Sequence, residues 1–260
     1  MNGILPFLNL NDFIQFTLVL GRIAGIFAAI PLFGGRRVPL NVRAAAILAM
    51  TIVLFPIVRG NIPQLPGDSI SLVILIVRES LIGLSLSLLS QVIFAAVEFC
   101  GQMIGGQMGL SMASMFDPDM GQVTVISNFQ DLLAMLLFMS LGIHHIFIRA
   151  IVESYSLVPV GAWHMSEGLI HFFVVTISGL FVLAIKLAAP VMVSLLASAV
   201  ILGIMARSFP QMNIFMISFP LNISIGFLVL GFSLLAFGKT LADAFGGISS
   251  QITILFKLMA

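Results

Sequence analysis

Apolar residues fill long stretches of the chain, and short segments rich in proline, glycine or charge separate these stretches. The stretches predict six hydrophobic helices, near residues 12–33, 43–58, 70–109, 123–152, 168–206 and 211–238. The segments 187–206 and 208–238 contain no ionisable side chain. About 20 such residues in a helix cross the roughly 30 Å hydrocarbon core of a bilayer. The pattern therefore predicts an all-α membrane protein.

The last part of the chain is more polar than the rest, which predicts a final amphipathic helix rather than a seventh span. Its small and polar residues are Asp243, Gly246, Gly247, Ser249, Ser250, Gln251 and Thr253.

Two of the predicted helices are unusually long. Regions 70–109 and 168–206 would each exceed about 55 Å as straight helices at a rise of 1.5 Å per residue. Proline removes a backbone donor and interrupts a helix, and four prolines lie in apolar runs: Pro31, Pro56, Pro190 and Pro220. The sequence therefore predicts kinked helical hairpins.

The composition agrees with a membrane protein. Of the residues, 60% are hydrophobic and 8% are charged, whereas an ordinary soluble domain has roughly 25% charged residues. A net charge of +1 provides no basic field, so no nucleic-acid partner is expected. Cys100 is expected to be a buried free thiol. Basic residues divide equally between the two sides of the predicted topology, with Arg22 among those inside spans, and leave the orientation open.

A stripe of small and polar residues runs along the third helical region. Its members are separated by three or four residues, which places them on one helix face. They are Ser80, Gly83, Ser87, Gln91, Ala95, Glu98, Gln102, Gly105 and Gly109. One interpretation is a close helix contact, because glycine and serine let two backbones approach. The other is that Gln91, Glu98 and Gln102 face a partner or a hydrated pore, since a carboxylate in a membrane is costly unless paired or hydrated.

The segment after the stripe predicts a loop. Gly105, Gly106 and Gly109 permit a turn out of the helix and would act as hinges, and Pro118 favours an extended conformation at Asp117. Several methionines concentrate there, and their unbranched side chains can fill irregular space and separate again. The methionines are therefore either core filling or part of a gate that excludes water.

Several long motifs resemble the FliR/SctT family of type III secretion export-gate subunits. These motifs are Arg22 to Pro39, Gly105 to Pro118, Phe129 to Ala134, Gly142 to His145, Ser156 to Gly161 and Gly203 to Pro220. The resemblance covers nearly the whole chain, and the motifs are too long to arise from hydrophobic composition alone.

The resemblance implies a multi-pass subunit of the flagellar export gate in the bacterial inner membrane, at the flagellar basal body. The subunit would assemble with FliP and FliQ, beside FlhB and FlhA, into a channel for unfolded flagellar proteins within membrane lipid. A FliP-like portion, about 1–165, would precede a FliQ-like hairpin, about 166–260. The virulence-type subunit SctT is the alternative within the family.

The resemblance also implies that the loop occludes the channel as a plug. The plug residues would be Leu110, Ser111, Met112, Ala113, Ser114, Met115, Phe116, Asp117, Pro118, Asp119, Met120, Gly121 and Gln122.

Arg207 ends an apolar run shortly before Pro210. A cation near the C-terminus of a helix is favoured by the helix dipole. These two residues are predicted either to anchor the chain at the membrane interface or to place Arg207 against a partner's carboxylate.

An enzyme is not predicted, and no catalytic residue, metal ligand or cofactor is expected. Neither an HExxH nor a GxSxG motif occurs. His144 and His145 are adjacent and project about 100° apart on a helix, so the pair does not form a two-ligand face. A secondary transporter is the alternative from another class, because broken helices and a carboxylate within the membrane also occur there. Against it, the two halves of the chain show no clear repeat.

Overall fold

The computed structural model describes residues 10–30, 38–61, 69–110, 125–209, 211 and 213–260. Within these ranges the chain forms helices and turns without a strand, so the predicted all-α class is confirmed. In chain order the α-helices are α1 (Leu10–Ala29), α2 (Leu40–Val58), α3 (Ser69–Gln107), α4 (Val125–Ser140), α5 (Ile143–Leu157), α6 (Glu167–Ser208), α7 (Ile214–Gly246) and α8 (Ile248–Met259). A 3-10 turn at Arg59–Asn61 follows α2.

Four of the described helices are long and apolar enough to cross a membrane, namely α2, α3, α6 and α7, the last counted together with α8. The pair α4 and α5 makes a fifth span if the two helices are taken as one broken crossing. Helix α1 is not among these candidates. Its side chains Leu18, Val19, Ile23 and Ile26 have no exposed surface, so α1 is a core helix.

The two longest predicted helices each form one continuous helix. Helices α3 and α6 continue without a break for 39 and 42 residues, or about 58 and 63 Å. Pro56, Pro190 and Pro220 lie inside α2, α6 and α7 and do not end them. A proline removes one backbone hydrogen bond, and the many remaining bonds of a long apolar helix maintain it. Pro31 lies outside the described residues.

One break was not predicted. Region 123–152, expected as one helix, is divided between α4 and α5 at Leu141 and Gly142. Gly142 has a φ of +67°, a left-handed conformation that glycine adopts at little cost. The conformation of this one glycine therefore separates two helices that hydrophobic periodicity had joined.

The contacts divide the chain into two compact units. Unit 1 comprises Met1–Val92, Gly142–Thr176 and Gly247–Ala260, and unit 2 comprises Ile93–Leu141 and Ile177–Gly246. The units alternate along the chain, so α3 and α6 contribute to both. This division is separate from the predicted FliP-like and FliQ-like portions, which stay a prediction.

In unit 1, α2 packs against α1 and α5, and α8 packs against α5. Phe16 of α1 and Phe55 of α2 meet edge to face, with 5.7 Å between ring centroids. Helix α8 is the predicted amphipathic helix, because its buried residues recur at helical spacing: Ile248, Ile252, Leu255, Phe256 and Met259. That prediction is confirmed.

In unit 2, α4 packs against α7. Phe94, Phe138 and Phe245 form an aromatic cluster with ring centroids 5.6–5.7 Å apart. Cys100 is a free thiol with no exposed surface, as expected. The core of this unit is thus apolar and aromatic around the C-terminal part of α3.

Candidate functional site

The N-terminal half of the α3 stripe is a close helix contact. A Cβ atom added to Gly83 would lie 2.1 Å from the backbone oxygen of Arg22, and one added to Gly25 would lie 2.3 Å from the backbone oxygen of Ser80. The Ser87 hydroxyl, also buried, donates to the Gly25 carbonyl at 3.3 Å. Glycine is needed on both helices because no side chain fits between these backbones. For this half of the stripe, the helix-packing interpretation applies.

The C-terminal half of the stripe has a different environment. Gln91, Glu98 and Gln102 are all exposed on the surface of the chain. The Gln102 amide donates to Glu98 Oε1 at 3.3 Å, one helical turn away. A carboxylate and two amides therefore face outward from a helix that is otherwise largely apolar, where an aqueous lumen or a polar partner would solvate them.

The three predicted hinge glycines do not share one conformation. Gly105 and Gly106 lie in the last turn of α3, whereas Gly109 follows the helix with a φ of +81°. The Gly109 amide donates to the Gly106 carbonyl, and the Leu110 amide donates to the Gly105 carbonyl, both at 3.0 Å. This pair of bonds is the Schellman arrangement, which ends a helix at a left-handed glycine. Of the three, Gly109 is the residue at which the chain leaves the helix.

The end of α3 is held against α7. Met108 has no exposed surface, and a Cβ atom added to Gly226 would lie 2.7 Å from three of its side-chain atoms. A Cβ atom added to Gly109 would lie 2.7 Å from the Phe219 ring. The first part of the methionine-rich segment is thus packed into unit 2.

The start of α4 is held on the same part of α3. A Cβ atom added to Gly101 would lie 2.4 Å from the Ser127 Cα atom. The Ser127 hydroxyl donates to the Glu98 carbonyl at 3.3 Å. Both ends of the connection between α3 and α4 are therefore attached to the last turns of α3.

The predicted plug residues after Leu110, from Ser111 to Gln122, lie outside the described residues, as does Pro210. Arg207 occupies the last turn of α6, as its position in the sequence suggested, and is exposed. The roles predicted for these residues stay predictions.

The two adjacent histidines lie at the start of α5. Their ring centroids are 4.0 Å apart, with an interplanar angle of 40°. Over the described ranges, no three His, Cys, Asp or Glu residues are grouped so that they could hold a metal ion.

A fully buried ion pair in unit 1 was missed by sequence reasoning. Arg22 and Glu79 form an ion pair with both side chains fully buried, and Arg22 Nε donates to Glu79 Oε2 at 2.6 Å. Arg22 Nη1 donates to Ser154 Oγ at 3.0 Å, and Nη2 donates to the Val158 carbonyl at 3.1 Å. The guanidinium carbon lies 4.0 Å from the centroid of the Tyr155 ring. One side chain of α1 is thereby tied to α3 and to the end of α5.

A usable signal for this pair was present in the sequence. An ionisable residue in an apolar helix pairs with another or faces water, and Arg22 and Glu79 both lie in such helices. The two residues are 57 positions apart, and nothing in the sequence distinguished Glu79 from Glu98 as the partner. The pair was identified only from the short distance between the two side chains in the structure.

The fold and these buried polar contacts define a helical membrane protein with four candidate spans, or five with the broken pair, among its described residues. Residues 13–248 match the family model described as bacterial export proteins, family 1. The match extends over most of the chain, so the chain belongs to this family of bacterial export proteins.

Relatives with similar sequences are flagellar biosynthetic proteins FliR. The chain is 33% identical to the protein of Bacillus subtilis (strain 168) over 222 residues, which is 84% of this chain and 85% of that protein. It is 32% identical to the Escherichia coli (strain K12) protein over 208 residues, covering 79% and 78% of the two chains. The Caulobacter vibrioides protein is 29% identical over 230 residues, covering 88% and 92%. The resemblance to the FliR family is confirmed, and with it the predicted role of a subunit of a flagellar export apparatus.

Proposed function

We propose that the chain is a subunit of the flagellar protein export gate in the bacterial inner membrane, at the flagellar basal body. With FliP and FliQ, and beside FlhB and FlhA, it forms the channel through which unfolded flagellar proteins pass. The observation that carries this proposal is the exposed half of the α3 stripe. Gln91, Glu98 and Gln102 are exposed on α3, a helix that is long enough to span a membrane. Contact with a partner or a hydrated lumen would offset the cost of placing these polar groups in a membrane.

The apolar surface of α6 and α7 supports an assembled state. Val193 and Leu196 of α6 are 65% and 64% exposed, and Phe232 and Leu235 of α7 are 82% and 72% exposed. Lipid or the apolar faces of neighbouring subunits would cover these side chains. The two helices are also joined by a hydrogen bond, in which Ser198 Oγ donates to Asn222 Oδ1 at 2.9 Å. This contact supports the assignment of about 166–260 as the FliQ-like portion, following a FliP-like portion of about 1–165.

The loop from Leu110 to Gln122 is the plug of this channel in our proposal. Its support is the attachment of both ends to α3, at Gly109 and, through Ser127, at Gly101. These two glycines are eight residues apart, which corresponds to about 12 Å along a helix axis. The intervening residues 111–124 would reach about 46–50 Å when extended. The connection is therefore much longer than joining the two helices requires, as expected for a segment with a role of its own.

Assembly is tested by co-expressing the chain with FliP and FliQ and isolating the complex from the membrane. We expect a stable complex of the three proteins. Solute transport by the chain alone in liposomes, without co-purification of FliP or FliQ, would instead support a secondary transporter.

The plug is tested by replacing Met112, Met115 and Phe116 together with Ser. Cells that carry this variant should leak small ions even when no substrate is exported, because the constriction no longer excludes water. A matched control replaces the exposed Met165 and Met216 with Ser. If the complex assembles normally and its conductance equals that of the wild type, the loop is not the plug.

A further inference from the structure

A groove of about 270 Å³ lies between α5 and α8 in unit 1. Its polar lining comes from His145, Arg149 and Glu153 of α5 and from Ser249 and Thr253 of α8. Buried side chains of α8, Ile252 and Phe256, form an apolar floor. The groove thus combines charged walls with an apolar base.

The charges on α5 lie in a row. His145, Arg149 and Glu153 are four residues apart, which places them on one helix face with an axial rise of about 6 Å per step. Within the part of the chain that the structure describes, Arg149 and Glu153 form no ion pair with each other or with another residue. The order Arg before Glu is the less favourable one for pairing along a helix. One cation and one anion are therefore available to a ligand in the same groove.

We propose that this groove binds the head group of a zwitterionic phospholipid that carries a primary amine. The phosphate accepts hydrogen bonds from the Arg149 guanidinium and the Ser249 hydroxyl, and the ammonium group donates to the Glu153 carboxylate. A two-carbon link between phosphate and amine suits charges that are one helical turn apart. The acyl chains are attached through the phosphate, so they leave the groove at its Arg149 end, away from Glu153.

The position of α8 supports a lipid as the source of this head group. The apolar face of α8 is packed inside the protein, and its exposed side carries hydroxyl groups and a lysine, a residue type favoured at membrane interfaces. Ser249, Thr253 and Lys257 are exposed along α8, while Ile252 and Phe256 are buried. The groove opens beside such an element.

Other ligand classes fit the groove less well. A purely anionic lipid would place its charge near Glu153 without an amine to compensate. A metal ion would meet the Arg149 cation, with only His145 and Glu153 as ligands. Pockets that enclose a whole drug-sized ligand measure about 300–1,000 Å³. This groove is smaller and would not enclose a nucleotide, whereas a phospholipid inserts only its head group.

The test uses the full chain with its co-purifying subunits, reconstituted in nanodiscs of equal parts phosphatidylethanolamine and phosphatidylglycerol. Native mass spectrometry measures which lipid stays bound. We expect the wild type to retain phosphatidylethanolamine in excess. Arg149→Gln should reduce this retention about tenfold, the effect of losing one charge-assisted hydrogen bond. Glu153→Gln should abolish the preference for phosphatidylethanolamine over phosphatidylglycerol.

Matched controls are Lys239→Gln and Asp243→Asn, which remove exposed charges of α7 outside the groove and should leave lipid retention unchanged. Equal retention of both lipids by the wild type would overturn the proposal, as would unchanged selectivity in Glu153→Gln. Displacement of the lipid by soluble phosphoethanolamine at an equal concentration would show that the ligand is a small molecule rather than a lipid. Efficient cross-linking of Thr253→Cys to another subunit, with no bound lipid, would show that the groove is a protein interface and would overturn the proposal as well.

Discussion

The buried ion pair between Arg22 and Glu79 leads to the sharpest stability prediction. Glu79→Gln preserves the volume of the side chain and removes its charge. Arg22 would keep its hydrogen bonds to Ser154 and Val158 and its contact with the Tyr155 ring. Its positive charge, fully buried, would have no compensating anion.

Removing one partner of a buried ion pair costs about 3–5 kcal/mol, because the remaining charge stays desolvated. We expect about 3 kcal/mol for Glu79→Gln, at the lower end of that range, because the other contacts of Arg22 are retained. For a chain of about 150–250 residues, 1 kcal/mol changes the unfolding midpoint by roughly 2–4 °C. The midpoint should therefore fall by about 6–12 °C.

The double variant with Arg22→Met and Glu79→Leu distinguishes the effect of an unpaired buried charge from the effect of changing the side-chain shapes. Apolar residues in place of both partners remove the desolvation cost together with the attraction, so this variant should be more stable than Glu79→Gln alone. Ser154 remains satisfied in the double variant because its hydroxyl also donates to the Ile151 carbonyl at 2.7 Å.

Thermal unfolding of the purified chain in detergent measures these differences, followed by circular dichroism and by labelling of Cys100. This thiol is the single cysteine of the chain and is fully buried, so a thiol-reactive dye reports unfolding. Asp243→Asn, at an exposed carboxylate, is the control. A midpoint for Glu79→Gln equal to that of the wild type would refute the reasoning, as would a double variant less stable than Glu79→Gln.

Two further predictions concern the α3 stripe. Glu98→Leu should impair complex assembly or export while leaving the unfolding midpoint of the isolated chain unchanged, because Glu98 is exposed there. Wild-type motility and complex yield would show that Glu98 faces neither a partner nor the lumen. Gly83→Ala should destabilise the chain by about 1–3 kcal/mol through overpacking, because the new Cβ would lie 2.1 Å from the Arg22 backbone oxygen. The control is Gly179→Ala in α6, because no atom lies within 4 Å of a Cβ added there. This variant should stabilise the chain by about 0.5–1 kcal/mol. Equal unfolding midpoints for the two variants would contradict the close contact at Gly83.

Hydrophobic patterning predicted the class, most helices and the amphipathic C-terminal helix of this protein correctly. These features are local, since a continuous apolar run or a recurrence every three or four residues already specifies a helix and its buried face. The predicted helix boundaries were less accurate where the conformation of a single residue determines whether a helix ends. The break at Gly142 depends on a left-handed backbone conformation, and the continuity of α6 past Pro190 depends on the strength of the remaining helix.

The candidate site was predictable in part. The spacing of the α3 stripe placed Gly83 and Glu98 on one face, but it did not show that Gly83 meets α1 while Glu98 is exposed. Both interpretations of the stripe had been open, and the structure assigns helix packing to its first half. The exposed second half keeps the interpretation of a partner or a pore as a proposal.

The amino-acid sequence was sufficient to establish an apolar helical chain of the FliR family, because composition, periodicity and long motifs are properties of the chain itself. Only the tertiary structure decided that Arg22 pairs with Glu79, that Met108 packs on Gly226, and that α5 and α8 enclose a groove. Each of these contacts joins residues far apart in sequence. Their partners are selected by how the helices pack in three dimensions, and no local pattern encodes that choice.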